Sequence, residues 1–493
     1  MVVGARSSSD ITPPPYAYVA YVSYNEYGKI SNVKTIRYID LFAGLGGMRI
    51  GLDQALRSNG LKGQCVFTSE IKPHAISVYE KNFPDERIYG DITKISPKDI
   101  PDFDVLLAGF PCQPFSSAGS RKGFLDTRGT LFFNIEEILK IKRPKAFLLE
   151  NVEGLVNHDK VDKSEPIGRT LKTILNHLEK LDYKVSWRLI DASDHGIPQR
   201  RRRIYIAGSL KREIDLSDLR RIPSKLADIL EKRTDKMLQI DKLLARKLLE
   251  NYNPKDLAGK QIKDKRGGRN NIHSWDVELK GVVSEEQKNI LEAILRQRRR
   301  KDWAKIKKIK WSDGVPLTLS DIASFHLGVM YSDKGNLRHL KKILDDLVEK
   351  KYLVYEAPKQ AQDRKDLRGY NIVAGKLSFD ISTILDPNGL APTLVAMDVT
   401  KMAVIDGNEL RRLSTREGLR LFGFPETYDI SSVSYRDAFD LLGNSVSVNA
   451  IELVSDRIIK ANFLDEKQRS LAKQPQTILE QEQLQIGIAP ASV

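Results

Sequence analysis

Only two cysteines, Cys65 and Cys112, occur in 493 residues, so the chain has no disulfide framework. Without a Cys-x-x-Cys pair it also lacks zinc-site spacing, and no metal is expected. No apolar run approaches the length of a membrane span, and the N-terminus lacks the apolar core of a secretory signal. The chain therefore reads as a cytoplasmic protein without a membrane partner. Acidic residues are in deficit: 65 Asp plus Glu stand against 80 Lys plus Arg, for a net charge of +15 and a pI of about 9.4. A total of this kind points only weakly to a polyanionic partner, but its location is more informative. Residues 211–310 carry 28 Lys plus Arg against 16 Asp plus Glu. A charge run is usually a solvated face; an excess confined to one segment is better explained by phosphate contacts.

What the chain does have is an unusual setting for one of its thiols. Residues 109–119 read Gly-Phe-Pro-Cys-Gln-Pro-Phe-Ser-Ser-Ala-Gly and follow the apolar run Val105–Ala108, which predicts a short buried strand. Pro111 and Pro114 bracket Cys112 and prevent simple continuation of strand or helix. A thiol on a rigid turn at the end of a buried strand sits where open α/β sheets place their chemistry. Ser116, Ser117, Ala118, Gly119, Ser120 and Gly123 then form a small-residue loop suited to closing over a substrate. Most cysteines are simply buried, as Cys65 in Gln-Cys-Val-Phe is expected to be. This stretch alone leaves Cys112 balanced between structural and nucleophilic roles.

The surrounding chain has an α/β rhythm. Residues 1–34 form a Ser/Pro-rich and then Tyr-rich extension. Tyr38–Phe42 reads as a strand, Ala43–Gly47 as a tight turn and Met48–Leu56 as a helix; the G-x-G-x-x-G dinucleotide spacing is absent. A second strand ends at Glu70, where an acid can hold ribose hydroxyls, and Asp91 is expected to follow a third. Capping or solvation is the alternative for each acid; as a set after successive strands they favour an adenosine-type cofactor. A helix over Thr130–Lys142 leads to a buried strand ending at Glu150. A carboxylate there is costly unless paired or protonated, which makes it a candidate proton donor. After a strand over Lys184–Ile190, Arg200–Arg203 enters the apolar run Ile204–Ala207. Strand alternation would aim Arg201 and Arg203 to one face.

Residues 211–390 break this rhythm. Charged amphipathic stretches are expected from Ile214 to Tyr252, then a linker-like Asp264–Asn271 and a basic run, Arg296–Lys308. Leu319–Tyr355 reads as helix, turn, helix and short strand, either a winged-helix-like element or an ordinary helical insertion. An ordered segment returns at Arg411–Tyr428, and Gly443-Asn-Ser445 opens a last helix before a Gln/Glu-rich tail.

Taken in order, Asp40–Gly47, Glu70, Gly90–Ile92, Gly109–Gln113, Glu150–Val152, Gln199–Tyr205, Arg416-Glu417, Gly423–Pro425 and Gly443–Val446 closely resemble the motifs of bacterial DNA (cytosine-5)-methyltransferases of restriction–modification systems. The resemblance covers about residues 36–210 and 391–460. It implies an α/β fold: a doubly wound, mostly parallel S-adenosylmethionine-dependent methyltransferase sheet with a smaller basic target-recognition domain. The implied division is an extension (1–35), a catalytic and cofactor-binding domain (36–210), a DNA-binding domain (211–410), a return segment completing the catalytic domain (411–462) and a tail (463–493). By the same resemblance Cys112 is the nucleophile, Glu150 the proton donor at N3 of cytosine, and Arg201 and Arg203 stabilise the ring-oxygen side and hold the carboxylate. Asp40, Phe42, Gly44, Leu45, Gly46 and Gly47 would surround S-adenosylmethionine. Glu70 would take its ribose, Ile71 would lie on the adenine and Asp91 would meet the adenine amino group. Ile92, Pro111, Leu131, Asn444 and Val446 would complete the pocket. Gln113, Ser116 and Arg128 would contact DNA, with the target base flipped out of the duplex. The partner expected is duplex DNA, bound by a monomer whose functional counterpart is a restriction endonuclease. Two rivals remain at this point: a tRNA-cytosine methyltransferase, whose Cys-Phe-Thr signature is missing, and an inactive DNA-binding scaffold.

Overall fold

Apolar runs bounded by turn residues become the strands of one six-stranded sheet in the computed structural model of the chain. The structure describes residues 33–111, 130–162, 164–231, 240, 242–312, 314–326, 333–373, 381–395, 399–466 and 468. The Tyr-rich extension up to 32, the stretch 112–129 with Cys112, Gln113, Ser116 and Arg128, and the tail beyond 468 lie outside the described residues. In chain order the large sheet and its helices are β1 (Thr35–Leu41), α1 (Gly47–Ser58), β2 (Lys62–Ser69), α2 (Pro73–Asn82), β3 (Val105–Gly109), α3 (Thr130–Lys142), β4 (Ala146–Val152), α4 (Gly154–Asn157), α5 (Arg169–Glu179), β5 (Lys184–Asp191) and β6 (Arg202–Ser209). The strand order is β2-β1-β3-β4-β6-β5. Strands β1 to β4 pair in parallel, and β6 runs antiparallel to both its neighbours. The doubly wound, mostly parallel sheet is the fold expected from the sequence.

Alternation along the strands divides the core in two, because successive side chains leave a strand on opposite faces. Tyr38, Val105, Leu107, Ala146 and Leu148 pack on one side, and Ile39, Leu106, Ala108, Phe147 and Leu149 on the other. With both faces covered, the strands read as continuous apolar runs rather than alternating ones. One expectation needs correction. Only an isolated bridge, Thr68 to Ile88, precedes Asp91, which caps a single helical turn, Ile92–Lys94. The charged stretch from Ile214 to Tyr252 is helical over Lys242–Asn251 and differs in its first part. Among the described residues, 211–231 has just one helical turn, Leu226–Asp228, and Ile214, Leu216 and Leu219 fill the first of the two cores.

The basic middle of the chain continues with α6 (Lys242–Asn251), α7 (Pro254–Leu257), β7 (Gln261–Ile262), β8 (Asn271–Ile272), α8 (Glu285–Gln297), α9 (Lys301–Ile306), α10 (Leu319–His326), α11 (Lys334–Glu349), β9 (Leu353–Glu356), β10 (Gly369–Ile372), β11 (Thr383–Ile384), β12 (Met402–Asp406) and β13 (Glu409–Arg412). A small sheet, β13-β12-β11-β7-β8, and the antiparallel pair β9–β10 each lie over an apolar cluster of their own. The stretch that reads as a linker is the β7–β8 loop, pinned by buried Asp264, whose carboxylate accepts from the Ser274 amide at 2.7 Å and its hydroxyl at 2.7 Å. The chain then returns through α12 (Thr415–Arg420), α13 (Tyr435–Gly443) and α14 (Val448–Asn462). Helix α14 lies against α1 so closely that a Cβ on Gly51 would stand 2.7 Å from Ile451. No helix among the described residues is long and apolar enough to cross a membrane.

Candidate active site

The four parallel strands end at one edge of the sheet, so the residues that close them converge there. The β1–α1 turn carries three left-handed residues, Phe42 (φ 57°), Gly44 (φ 54°) and Gly46 (φ 72°). Gly46 and Gly47 make room for protein: a Cβ on the first would meet Phe83 at 2.8 Å, and on the second Val446 at 2.9 Å. Leu45 is likewise turned into the core. Gly44 differs, since a Cβ there would approach only the Phe42 carbonyl, at 4.0 Å. Its amide donates to Glu70 Oε2 at 2.8 Å, while Oε1 accepts from the amides of Ile71 at 2.7 Å and Lys72 at 2.9 Å. Three amides thus fix one carboxylate, and the next side chain, Ile71, is 66% exposed. Asp91 Oδ1 accepts from the Thr93 amide at 3.0 Å and its hydroxyl at 2.8 Å, which holds the carboxyl below its ordinary range. Asp40 is fully buried and neither of its oxygens has a hydrogen-bond partner among the described residues. Burial pushes its pKa well above the carboxylate range.

This donor set fits an adenosine-type cofactor. It offers an amide-anchored carboxylate for hydroxyls, an exposed aliphatic face for a flat base, a second anionic carboxylate, and open space over Gly44. Of the remaining residues expected there, Pro111 and Asn444 are exposed, Leu131 is half-buried, Ile92 packs in the second core and Val446 touches the β1–α1 turn. Among the described residues no cluster of His, Cys, Asp or Glu could hold a metal ion.

Glu150 sits where the two halves of the site meet. It is in register with Gly109 on β3 and Tyr205 on β6. A Cβ on Gly109 would lie 3.8 Å from Glu150 Oε2, 3.6 Å from Met48 Sδ and 3.9 Å from Val446 Cγ1. The root of the Pro-Cys-Gln segment, the buried acid and Val446 therefore share one spot. The Arg203 Nε is 3.4 Å from Glu150 Oε1. Even so, burial raises the Glu150 pKa against the opposing pull of Arg203 and Arg201.

The two arginines are placed differently. Arg201 is buried, with its guanidinium donating to the carbonyls of Leu394 at 3.3 Å, Gly443 at 3.2 Å and Ser445, and lying 5.0 Å from the Phe422 ring centre. Burial and the neighbouring Arg203 push its pKa down to about 9. It ties the returning segment to β6. Gln199 does the same from one turn earlier, donating to the Leu421 carbonyl at 2.7 Å and accepting from the Leu394 amide at 3.1 Å. Asn151 donates to the Phe110 carbonyl at 3.1 Å and so holds the backbone two residues before Cys112. No individual role is legible for Gln199 or Asn151 in the sequence; their signal is their place within the motif segments Gln199–Tyr205 and Glu150–Val152.

The model of the C-5 cytosine-specific DNA methylase family matches residues 36–460. The Type II methyltransferase M.NlaIV of Neisseria lactamica is 52% identical over 433 residues, which cover 87% of this chain and 99% of that protein. M.NgoBV of Neisseria gonorrhoeae is 51% identical over 433 residues, with the same coverage. M.BanI of Aneurinibacillus aneurinilyticus is 38% identical over 449 residues, covering 87% of this chain and 96% of that protein. A family match running from β1 into α14, with relatives of this identity spanned almost end to end, means that the chain is a methyltransferase belonging to the C-5 cytosine-specific DNA methylase family.

Proposed function

We propose that the enzyme transfers a methyl group from S-adenosylmethionine to C5 of cytosine within a specific sequence of duplex DNA, as the protective half of a restriction–modification pair. The large sheet and the return segment carry the chemistry, and the basic middle of the chain reads the DNA. The observation that carries this reading is a buried carboxyl, kept toward its protonated form, at the root of the Pro-Cys-Gln segment. Cytosine C5 is a poor nucleophile. Addition of the Cys112 thiolate at C6 converts the ring to an enamine as N3 takes the proton of Glu150. The bound cofactor supplies an electrophilic methyl group to C5. A base then removes the C5 proton, the thiolate leaves, and the N3 proton returns to Glu150. Arg203 keeps the carboxyl oriented, and Glu70, Ile71 and Asp91 hold the cofactor's ribose and adenine. The base must leave the stack for the thiolate to reach C6.

Tritium transfer from labelled S-adenosylmethionine tests this, with duplex DNA and tRNA as separate substrates and 5-fluorocytosine duplex as a trap. Label in duplex DNA and a denaturation-resistant protein–DNA adduct are expected, both abolished in Cys112→Ser. Label in tRNA alone, or normal turnover by Cys112→Ser, refutes the proposal.

A further inference from the structure

The middle of the chain contains a unit with an order of its own. Helix α8 is followed by the short α9, then Leu317, α10, α11, β9, a connection over 357–368, and β10. Leu317 exchanges two backbone hydrogen bonds with Tyr370, at 3.0 and 2.8 Å, and so adds an isolated bridge beside β10. Gly369 permits this approach, since a Cβ there would meet the Leu317 carbonyl at 2.3 Å. With α9 as an insertion after the first helix, the order helix, bridge, helix, helix, strand, wing, strand is that of a winged helix, the more specific of the two readings the sequence allowed. Leu340, Ile343, Leu344 and Leu347 of α11 pack with Ile290, Leu291 and Ile294 of α8 and Ile322 of α10.

The other face of α11 is charged in a way that folding does not explain. Helices favour acids near the N-terminus and bases near the C-terminus. From Lys334 to Leu344 this helix carries Lys334, Arg338, Lys341 and Lys342 and no acid, while Asp345, Asp346 and Glu349 come after. All four cations are exposed and fall on one side at helical spacing. Lys341 pairs with Asp345. Among the described residues Lys334, Arg338 and Lys342 have no acidic partner. The connection beside it exposes Lys359, Arg364, Lys365 and Arg368 against Asp363 and Asp366. At its base Arg368 lies 5.3 Å from the ring centre of exposed Tyr355. Asp333 caps the helix through the Gly335 amide, so only Lys334 in the first turn and the acids near the C-terminus run against the dipole; it is the exposed stripe of cations that suits a polyanionic partner.

Resting on the methyltransferase reading, we propose that this winged-helix unit docks on duplex DNA, with the N-terminal half of α11 in the major groove and the 357–368 connection on flanking phosphates. Second helices of helix-turn-helix units enter the groove by their N-terminal residues, and Arg and Lys are the side chains best matched to guanine edges and phosphates there.

The test uses the full chain with Arg338→Gln/Lys342→Gln, and separately Arg338→Glu/Lys342→Glu. Binding to a plasmid fragment that the wild type methylates is measured across a salt series, alongside S-adenosylmethionine binding and the thermal midpoint. The Gln pair is expected to weaken DNA binding at least about tenfold, and the Glu pair further. The slope of log affinity against log salt should become shallower by about 1–2, with cofactor binding and midpoint unchanged. Sequencing the sites methylated by the Gln pair should show relaxed choice at one or more positions. Wild-type affinity and slope in both variants would overturn the proposal while leaving the methyltransferase reading intact. Weakened binding with unchanged site choice would overturn the groove placement. A wild-type chain that neither binds nor methylates duplex DNA would overturn both readings.

Discussion

In the proposed reaction Glu150 concentrates the chemistry in one proton. Desolvation favours the neutral acid, and the Arg203 guanidinium 3.4 Å away favours the anion; burial wins. Because the folded-state pKa lies above the unfolded value, the group contributes stability that is fully present below the unfolded pKa and lost as pH rises through the folded one. Activity that needs the proton falls along the same limb. Glu150→Gln should therefore lower kcat by about 10²- to 10⁴-fold. It should also flatten the decline of both stability and residual rate on that limb, while S-adenosylmethionine still binds. A pH series of single-turnover rates and denaturation midpoints decides this: an unchanged alkaline limb in the variant would remove Glu150 as the proton donor. The motif around this residue is legible because a carboxylate at the end of an apolar run is physically anomalous. The partners of Arg201 were not legible, since the carbonyls of Leu394, Gly443 and Ser445 reach it from about two hundred residues further along the chain.

Among the secondary-structure elements, the strands and helices flanking the site follow from pattern alone. Thr130–Lys142 and the strands around Val105, Phe147 and Ile206 lie where periodicity puts them. How Ile214–Leu219 packs is not legible for a physical reason: apolar residues spaced among charges look alike whether they pack as a helix or as an extended strap across a core. Packing between elements is less visible still. Gly51 in α1 gives no sequence signal beyond a weakened helix, yet it sets the approach of α14. Gly51→Ala should cost about 1–3 kcal/mol by overpacking, read as a lower midpoint in denaturant; wild-type stability would mean that the two helices separate freely. Buried Arg411 on β13 donates to Glu417 on α12 at 2.9 and 2.8 Å, and Glu417 also accepts from the amides of Ser414 and Glu231, each at 2.8 Å. Arg411→Ala leaves that carboxylate buried without its cation and is expected to cost about 3–5 kcal/mol. Arg411→Ala unfolding at the wild-type midpoint would show that the amides suffice.

For the molecule as a whole, the consequence of this topology is that the catalytic sheet is completed by its last helix. Helix α14 buries Ile451, Val454, Ile458 and Ile459 against α1 and one face of the sheet. At about 1.5–3 kcal/mol for each such side chain, that burial rivals the roughly 5–15 kcal/mol by which a domain is stable at all. A chain ending at Gly443 should therefore lose cooperative unfolding and S-adenosylmethionine binding together, although Glu70 and Asp91, assigned here to the cofactor, lie more than three hundred residues upstream. A peptide spanning 444–466, added in trans, should restore both, because it returns the apolar face of α14 together with Asn444 and Val446, expected at the cofactor pocket, and no catalytic group is missing. Calorimetric binding of S-adenosylmethionine to the truncated chain, with and without the peptide, separates the possibilities. If the truncated chain binds as the whole protein does, the sheet is self-sufficient and α14 is an accessory; rescue by the peptide makes the return of the chain to α1 the step on which the cofactor site depends.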